Sequence, residues 1–414
     1  MILYSRIVGL LVGLCLVVVL LTYRSFETNF VFYLSWLSGL FIVFLFVNTT
    51  VIKVKIDRVT AVVLAIVLAW LFIGLIFFPF AYDKTEHFKI LAITTFYMVT
   101  ATFFSELLIK SKISFSKYTF FMVNVWAIVN LILLLLFFVG VYVPEKHQFS
   151  GVFHDRNVFS ITTLLVVGFA VSHSESITSR FSRVLLYISV IACFFMILIS
   201  KSITGSLGLL ILMFLYSQRF TLAKRIWAFS LLILAFVVVI ATDNPLSARI
   251  SRFVIAIMGD TDSLNTNESA YLRVYLIKSG FELIAQHPWV GVGLNNAKEF
   301  VVWPDRGYGS FLHNTYLDVF TSGGFPLFLV YYGPIFYCLF SLISLRRKVL
   351  MILDERYYSL WKLAFVSLSL KLICDLTWTT YFEYFMVFTV IFSMYVTFYI
   401  KRALRMKMKY RAFV

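Results

Sequence analysis

A polar, glycine-punctuated stretch between residues 267 and 327 contains two side chains suited to phosphate and proton-transfer chemistry. Arg273 lies on a segment with the periodicity of an amphipathic helix, and His313 is followed directly by Asn314. A guanidinium group can make bidentate contacts with phosphate oxygens. An imidazole titrates near neutral pH and can take a proton from a hydroxyl group. Each residue alone also fits an ordinary role, as an interfacial basic side chain or as a hydrogen-bonded loop histidine.

Two further basic residues, Arg156 and Lys201, lie at predicted ends of earlier apolar segments. Together with Arg273 they are predicted to lie near one interface, although the three residues come from segments far apart in the sequence. Lysine and arginine side chains also reach towards membrane interfaces without any catalytic role. Asn157 is adjacent to Arg156, and Asn314 can either orient His313 or cap the helix that follows it.

Other chemistries are not supported by the sequence. There is no Cys/His cluster with metal-ligand spacing, no paired-carboxylate motif and no serine nucleophile motif. Gly291, Gly293 and Gly324 are best interpreted as turn and helix-entry glycines, because no Lys-Ser/Thr of a phosphate-binding loop follows them. The spacing of Lys371 and Asp375 predicts a local ion pair on one helix face. We therefore expect a metal-independent reaction without a cofactor.

The elements that position these residues are membrane-spanning helices. The chain is 61% hydrophobic and 14% charged, and it contains repeated apolar segments of about 20 residues, the length of a transmembrane helix. We predict an all-α, polytopic membrane protein with about 12 spans. They lie near residues 6–23, 29–48, 60–80, 87–108, 118–143, 157–173, 184–200, 203–217, 226–242, 324–344, 358–374 and 381–400.

Positive charge sorts to one side of these spans, which predicts cytoplasmic termini. Accordingly, residues 1–242 hold the first nine helices and residues 243–323 form a large periplasmic loop between helices 9 and 10. Residues 324–400 hold the last three helices, and residues 401–414 form a basic cytoplasmic tail. The net charge of +16 is explained by this retention of basic loops and by anionic lipid headgroups. It does not indicate nucleic-acid binding.

Three patterns in the 267–327 stretch resemble the signature of the bacterial O-antigen ligase and O-antigen polymerase family. They are an arginine ahead of a Pro-x-x-Gly-x-Gly turn (Arg273, then residues 288–293), a His-Asn-x-Tyr-Leu sequence (residues 313–317) and a glycine about ten residues after the histidine (Gly323 and Gly324). The earlier segment 151–157 is similar to the family's Gly-x-Phe-x-x-x-Asn element. The chain departs from the family where Ser-Arg usually begins the eighth span, since Lys201 and Ser202 stand there instead.

This resemblance implies transfer of an undecaprenyl-diphosphate-linked oligosaccharide at the periplasmic face of the bacterial inner membrane. Arg273, Arg156 and Lys201 would bind the diphosphate, and His313 would act as a base or as a diphosphate ligand. Asn157, Asn314, Gly291, Gly293 and Gly324 would support them.

The acceptor separates two activities that the resemblance leaves open. A second repeat unit as acceptor would make the protein a polymerase of surface polysaccharide, with a chain-length regulator as a partner. A lipid A–core acceptor would make it an O-antigen ligase. The missing Ser-Arg favours the polymerase. A flippase for lipid-linked sugars is the alternative from another class, but flippase residues should lie near the bilayer midplane.

Overall fold

The computed structural model describes residues 57–110, 115–142, 149–151, 156–173, 179–217, 269–302 and 309–412, and the single positions 177, 230, 248, 251 and 255. Apart from one isolated bridge between Val302 and Gly309, the regular structure in these residues is helical. The helices are α1 (Arg58–Phe77), α2 (Lys84–Lys110), α3 (Phe115–Phe138), α4 (Arg156–His173), α5 (Arg180–Ile199), α6 (Ile203–Ser217), α7 (Ser269–Gln286), α8 (Ala297–Phe300), α9 (Thr315–Ile352), α10 (Glu355–Cys374) and α11 (Tyr384–Ala412).

The predicted fold class is confirmed: the chain is an all-α, multi-pass membrane protein. Within the described ranges, six helices (α1, α2, α3, α5, α9 and α11) are long and apolar enough to cross a membrane. The predicted spans 6–23 and 29–48 lie outside the described residues, as does span 226–242 apart from position 230, and each of the others coincides with a helix. The count of twelve stays a prediction.

Two helix boundaries differ from those expected. Helix α9 begins at Thr315 rather than at residue 324, and the expected boundary is a kink at Gly323 and Gly324 inside the helix. Helix α11 continues to Ala412, so most of the predicted basic tail is helical. In both cases the helix extends into polar sequence beyond the apolar run, because a helix needs only satisfied main-chain hydrogen bonds and caps to continue.

The helices form two packed groups that α10 joins. Helices α1, α2, α9 and α11 pack together, helices α3 to α6 pack together, and α10 contacts α9 and α11 on one side and α4 and α6 on the other. In the first group α11 is the most deeply buried membrane-crossing helix. Small residues permit close approach in the second group: a side chain at Gly205 would meet Ser160, and one at Gly208 would meet Leu164.

Described helices that follow one another through short connections and pack side by side run in opposite directions, so this part of the bundle has two distinct ends. The lower end is where the side chain of Arg402 pairs with Asp57 and where Arg356 donates to the carbonyl of Ile109 (2.8 Å). The upper end is where α1 meets α2 and where the main-chain N–H of Thr315 donates to the carbonyl of Asp375 (2.7 Å). Helix α3 packs against α4 and α5.

Candidate active site

The predicted residues Arg156, Asn157 and Lys201 lie where the start of α4 meets the turn between α5 and α6, at the upper end of the bundle. The hydroxyl of Ser202, which follows Lys201, donates to Oδ1 of Asn157 (2.9 Å). Ser202 also accepts from the main-chain N–H of Gly205 (3.2 Å) and so caps α6. Lys201 itself is exposed and has a positive φ of 55°. The structure thus joins the two segments that carry these residues.

A second contact between α4 and the same turn reinforces this junction. The hydroxyls of Ser160 and Ser200 are 2.7 Å apart, and Ser160 also donates to the carbonyl of Arg156 (2.7 Å). Serine hydroxyls at a close helix crossing satisfy one another where no water reaches them. Arg156 is therefore held one turn away from a fixed contact, with its own side chain half-buried.

Helix α7 packs against the segment that carries His313. Gly280 lies two turns after Arg273 and so shares its helix face. A Cβ at Gly280 would lie 3.2 Å from the side chain of Leu317 and 3.3 Å from that of Leu312. These two leucines flank His313 in sequence and are both buried. The face of α7 that carries Arg273 is therefore turned towards the His313 segment.

His313 is held in an uncommon main-chain conformation immediately before α9. Its φ is 51°, a left-handed value that costs free energy for a residue with a side chain. Its ring centroid lies 5.0 Å from that of Trp378. Asn314 is the N-cap of α9 and accepts from the main-chain N–H of Leu317 (3.1 Å). Of the two roles expected for Asn314, the structure shows the cap.

The loop between α10 and α11 lies beneath His313 and packs against the start of α9. The hydroxyl of Thr315 donates to the carbonyl of Trp378 (2.6 Å), and the indole Nε1 of Trp378 donates to Glu383 (3.1 Å). The hydroxyl of Thr379 donates to Oδ2 of Asp318 (2.7 Å). Both carboxylates are buried. The two carboxylates accept hydrogen bonds that hold this loop in place, a role that the sequence does not reveal.

The predicted pair of Lys371 and Asp375 is confirmed and lies deeper than expected. Both side chains are 0% exposed, and Lys371 Nζ contacts both carboxylate oxygens, Oδ2 at 2.6 Å. Tyr332 donates to Oδ2 of Asp375 (3.1 Å), and Thr380 donates to Oδ1. A buried pair needs such additional hydrogen bonds to offset the loss of hydration. The pair joins α10 to α9 and to the loop beneath His313.

The two predicted glycine segments pack directly against each other. We call residues 288–293 the glycine turn and Gly323–Gly324 the glycine kink. The main-chain N–H groups of Val292 and Gly293 donate to the carbonyls of Thr321 (2.8 Å) and Ser322 (2.9 Å). These N–H groups are therefore already hydrogen-bonded to main-chain carbonyl oxygens. The glycine turn acts as a main-chain junction, in agreement with its interpretation as a turn.

Positive φ values explain why glycine is needed at this junction. Gly291 has a φ of 63° and Gly324 a φ of 61°. A Cβ at Gly291 would lie 2.5 Å from the main-chain nitrogen of Gly323, and a Cβ at Gly324 would lie 2.7 Å from the carbonyl oxygen of Pro288. A larger residue at either position would separate the turn from the kink.

The start of α2 also holds the glycine turn, through residues that the sequence does not single out. Nδ1 of His87 accepts from the main-chain N–H of Leu294 (2.9 Å). Glu86 accepts from Nδ2 of Asn295 (2.5 Å) and from Lys298 (3.2 Å). His87 begins the predicted span 87–108 and Glu86 directly precedes it, and polar side chains at the edge of an apolar run are the available signal.

Tyr381 holds the same turn from the other side. Its hydroxyl accepts from the main-chain N–H of Asn295 (3.1 Å). Tyr381 lies in the loop before α11, and burial raises the pKa of its phenol well above the usual range. The phenol is therefore neutral at physiological pH, and the turn is held by a hydrogen bond and not by a charge.

Comparison with protein families adds independent information on this part of the chain. A family model described as O-Antigen ligase matches residues 186–332. The predicted resemblance to the O-antigen ligase and polymerase family is confirmed. The matched residues include Lys201, Arg273, His313 and both glycine segments, whereas Arg156 and Asn157 precede the match. A comparison with curated proteins finds no match. Glycan transfer of the O-antigen ligase or polymerase type is therefore supported in general terms.

Proposed function

We propose that the protein transfers an oligosaccharide from undecaprenyl diphosphate to a glycan acceptor at the periplasmic face of the inner membrane, polymerising O-antigen or other surface-polysaccharide repeat units. One observation carries most of the proposal. The helix face of α7 that bears Arg273 packs on Leu312 and Leu317, which flank His313, inside the stretch matched by the O-Antigen ligase model. This packing supports the proposal that Arg273 and His313 act at one site, with Arg273 as a phosphate ligand and His313 as a base or a second diphosphate ligand.

In the proposed reaction an acceptor hydroxyl attacks the anomeric carbon of the donor glycan. A new carbon–oxygen bond forms, the bond between that carbon and the diphosphate breaks, and undecaprenyl diphosphate leaves with the bonding electron pair. In the base role, the imidazole of His313 takes the hydroxyl proton. In the other role His313 contacts the diphosphate, and the proton passes to water.

Arg273 supports departure of the leaving group by neutralising charge that grows on the diphosphate. Arg156 and Lys201 would assist from the junction of α4 with the α5–α6 turn, at the same end of the bundle. In this proposal the three basic side chains supply the charge stabilisation of the diphosphate. Asn314 and the glycine segments support the geometry.

O-antigen ligase activity is a second candidate, and the description of the matching family model favours it. The donor, the leaving group and the proposed residue roles are the same in the two reactions. The difference is the acceptor, lipid A–core in the ligase and a lipid-linked repeat unit in the polymerase. The absence of Ser-Arg near Lys201 is the observation that favours the polymerase.

The deciding experiment is the lipopolysaccharide banding pattern of a strain that lacks this protein. Core carrying a single repeat unit, without a ladder, supports the polymerase. Bare core with polymeric glycan accumulating on undecaprenyl diphosphate supports the ligase. An unchanged pattern argues against both.

The same strain tests the residue roles when it is complemented with variants. His313→Ala and Arg273→Ala should fail to restore the ladder. His287→Ala and Lys278→Ala are matched controls, since each removes the same type of side chain from α7 or the turn after it, and both should restore the ladder. A normal ladder with well-expressed His313→Ala and Arg273→Ala would contradict the proposed roles.

A further inference from the structure

His87 joins three separate parts of the chain through a single buried ring. Its side chain lies on α2 and is 1% exposed. Nε2 is 2.9 Å from the carbonyl oxygen of Gly74 on α1, and Nδ1 is 2.9 Å from the main-chain nitrogen of Leu294. A carbonyl can only accept and an amide N–H can only donate. The ring is therefore neutral, with its hydrogen on Nε2.

Leu294 follows the glycine turn directly, so the bond to His87 holds that turn on α2, while Tyr381 holds it from the other side. The main-chain N–H of Tyr82 donates to the carbonyl of Val292 (2.9 Å), and Glu86 binds Asn295 and Lys298. The contacts through Glu86 are half-exposed and those of His87 are buried. A buried hydrogen bond has no competing water, so losing one partner is more costly there.

The position of the glycine turn in turn fixes α7 relative to His313. The turn begins two residues after Gln286, the last residue of α7, and its main chain bonds to Thr321 and Ser322, within the helix that starts after His313. A displacement of Leu294 would therefore also displace α7 and the part of α9 that contains Thr321 and Ser322. Displacements of about 1 Å in positioning elements can reduce rates by about a hundredfold.

We propose that His87 is a positioning residue for glycan transfer: its neutral ring holds the glycine turn on the α1–α2 hairpin and thereby sets Arg273 against His313. This inference rests on the proposed function. His87 touches no proposed substrate group. Its contribution passes through the main-chain N–H of Leu294, which makes the inference testable with two similar side chains.

Asparagine and glutamine each reproduce one of the two ring nitrogens. In His87→Asn, Oδ1 can take the place of Nδ1 and accept from Leu294, but the bond to Gly74 is lost. In His87→Gln, Nε2 can take the place of the ring Nε2 and donate to Gly74, but the bond to Leu294 is lost. Each variant loses one buried hydrogen bond, so their thermal unfolding temperatures should be similar. Thr94→Val is a control, because it removes the bond from Trp70 to Thr94 (3.3 Å) between the same two helices.

Two measurements test the inference. The first is oxidative cross-linking between cysteines placed at Tyr82 and Phe300. The ring centroids of these two residues are 5.1 Å apart. Cross-linking should persist in His87→Asn and Thr94→Val and fall in His87→Gln. The second is glycan transfer by the purified protein without the cysteine pair. There kcat should fall about tenfold or more in His87→Gln with a smaller change in KM, and it should stay near the wild-type value in His87→Asn.

The outcomes separate the inference from the proposed function. Equal cross-linking and equal kcat in His87→Asn and His87→Gln would overturn the positioning role of His87. Absence of glycan transfer by the wild-type protein, with the cross-linking pattern as expected, would overturn the proposed function and leave the structural role of the ring standing.

Discussion

The side-chain amide of Asn314 donates to the main-chain carbonyl of Leu376 (3.3 Å) while its oxygen caps α9. One residue thus joins the start of α9 to the loop beneath it, immediately after His313. We expect Asn314→Asp to keep the cap and Asn314→Ala to lose it. The alanine variant should lower the free energy of unfolding by about 1 kcal/mol. Thermal unfolding in detergent measures this, and equal stability of the two variants would contradict the capping role.

Gly324→Ala should destabilise the protein and reduce transfer. The residue has a φ of 61°, and a Cβ there would overlap the main chain of Trp289 and Pro288, so we expect a loss of more than about 1 kcal/mol. Gly333→Ala in the same helix is the matched control, since nothing lies within 4 Å of its Cβ position. Unfolding temperatures of both variants test this. Equal values would show that the turn and the kink are not tightly packed.

Asp375→Asn should be among the most destabilising single changes in α10. It leaves the ammonium group of Lys371 buried without its carboxylate, which costs about 3–5 kcal/mol. Replacing both residues together, as Lys371→Met with Asp375→Leu, should recover much of the stability. Chemical denaturation of the single and double variants gives the comparison. A double variant no more stable than Asp375→Asn would argue against this account.

Arg273→Lys should be less active than the wild-type protein, although the substitution keeps the positive charge. Lysine keeps the charge but cannot make the bidentate contact of a guanidinium with phosphate oxygens. We expect transfer to fall about a hundredfold in Arg273→Ala, with Arg273→Lys in between. Lys278→Arg on the same helix is the control. Assays with a lipid-linked donor and the purified protein measure the rates, and wild-type activity in Arg273→Lys would indicate that a point charge is sufficient.

The transfer reaction should be insensitive to removal of divalent cations. The proposed site neutralises the diphosphate with Arg273, Arg156 and Lys201, so no metal ion is needed for that charge. Rates measured with excess chelator, and after subsequent addition of magnesium, should agree within experimental error. Loss of activity with the chelator and recovery with magnesium would show that basic side chains are not sufficient.

The helical architecture follows from local sequence, and for that reason it could be predicted. Apolar segments of spanning length coincide with the described helices, and α7 ends at Gln286, just before Pro288, because a proline disfavours helical geometry at the residue that precedes it. The start of α9 at Thr315 differs from the expected span boundary at residue 324, because it depends on the cap at Asn314 and not on hydrophobicity. Lys371 and Asp375 were paired correctly because both lie on one helix face.

The tertiary contacts of the site could not be predicted in the same way. His87 and Leu294 are far apart in the sequence, and neither belongs to a motif. The junction of Gly291 with the glycine kink likewise depends on how two distant segments pack. A glycine in a sequence indicates that close approach is possible, but it does not identify the partner. The same holds for Ser202 and Asn157.

The hydrogen bonds between the glycine turn and the glycine kink have a consequence for how a large lipid-linked donor could reach the site. Val292, Gly293 and Phe325 donate to main-chain carbonyls across this junction, so the end of α7 near Gln286 is tied to a membrane-crossing helix. Arg273 lies towards the other end of α7, so where this helix presents the arginine to a lipid-linked donor depends on the direction of α7 that the junction sets.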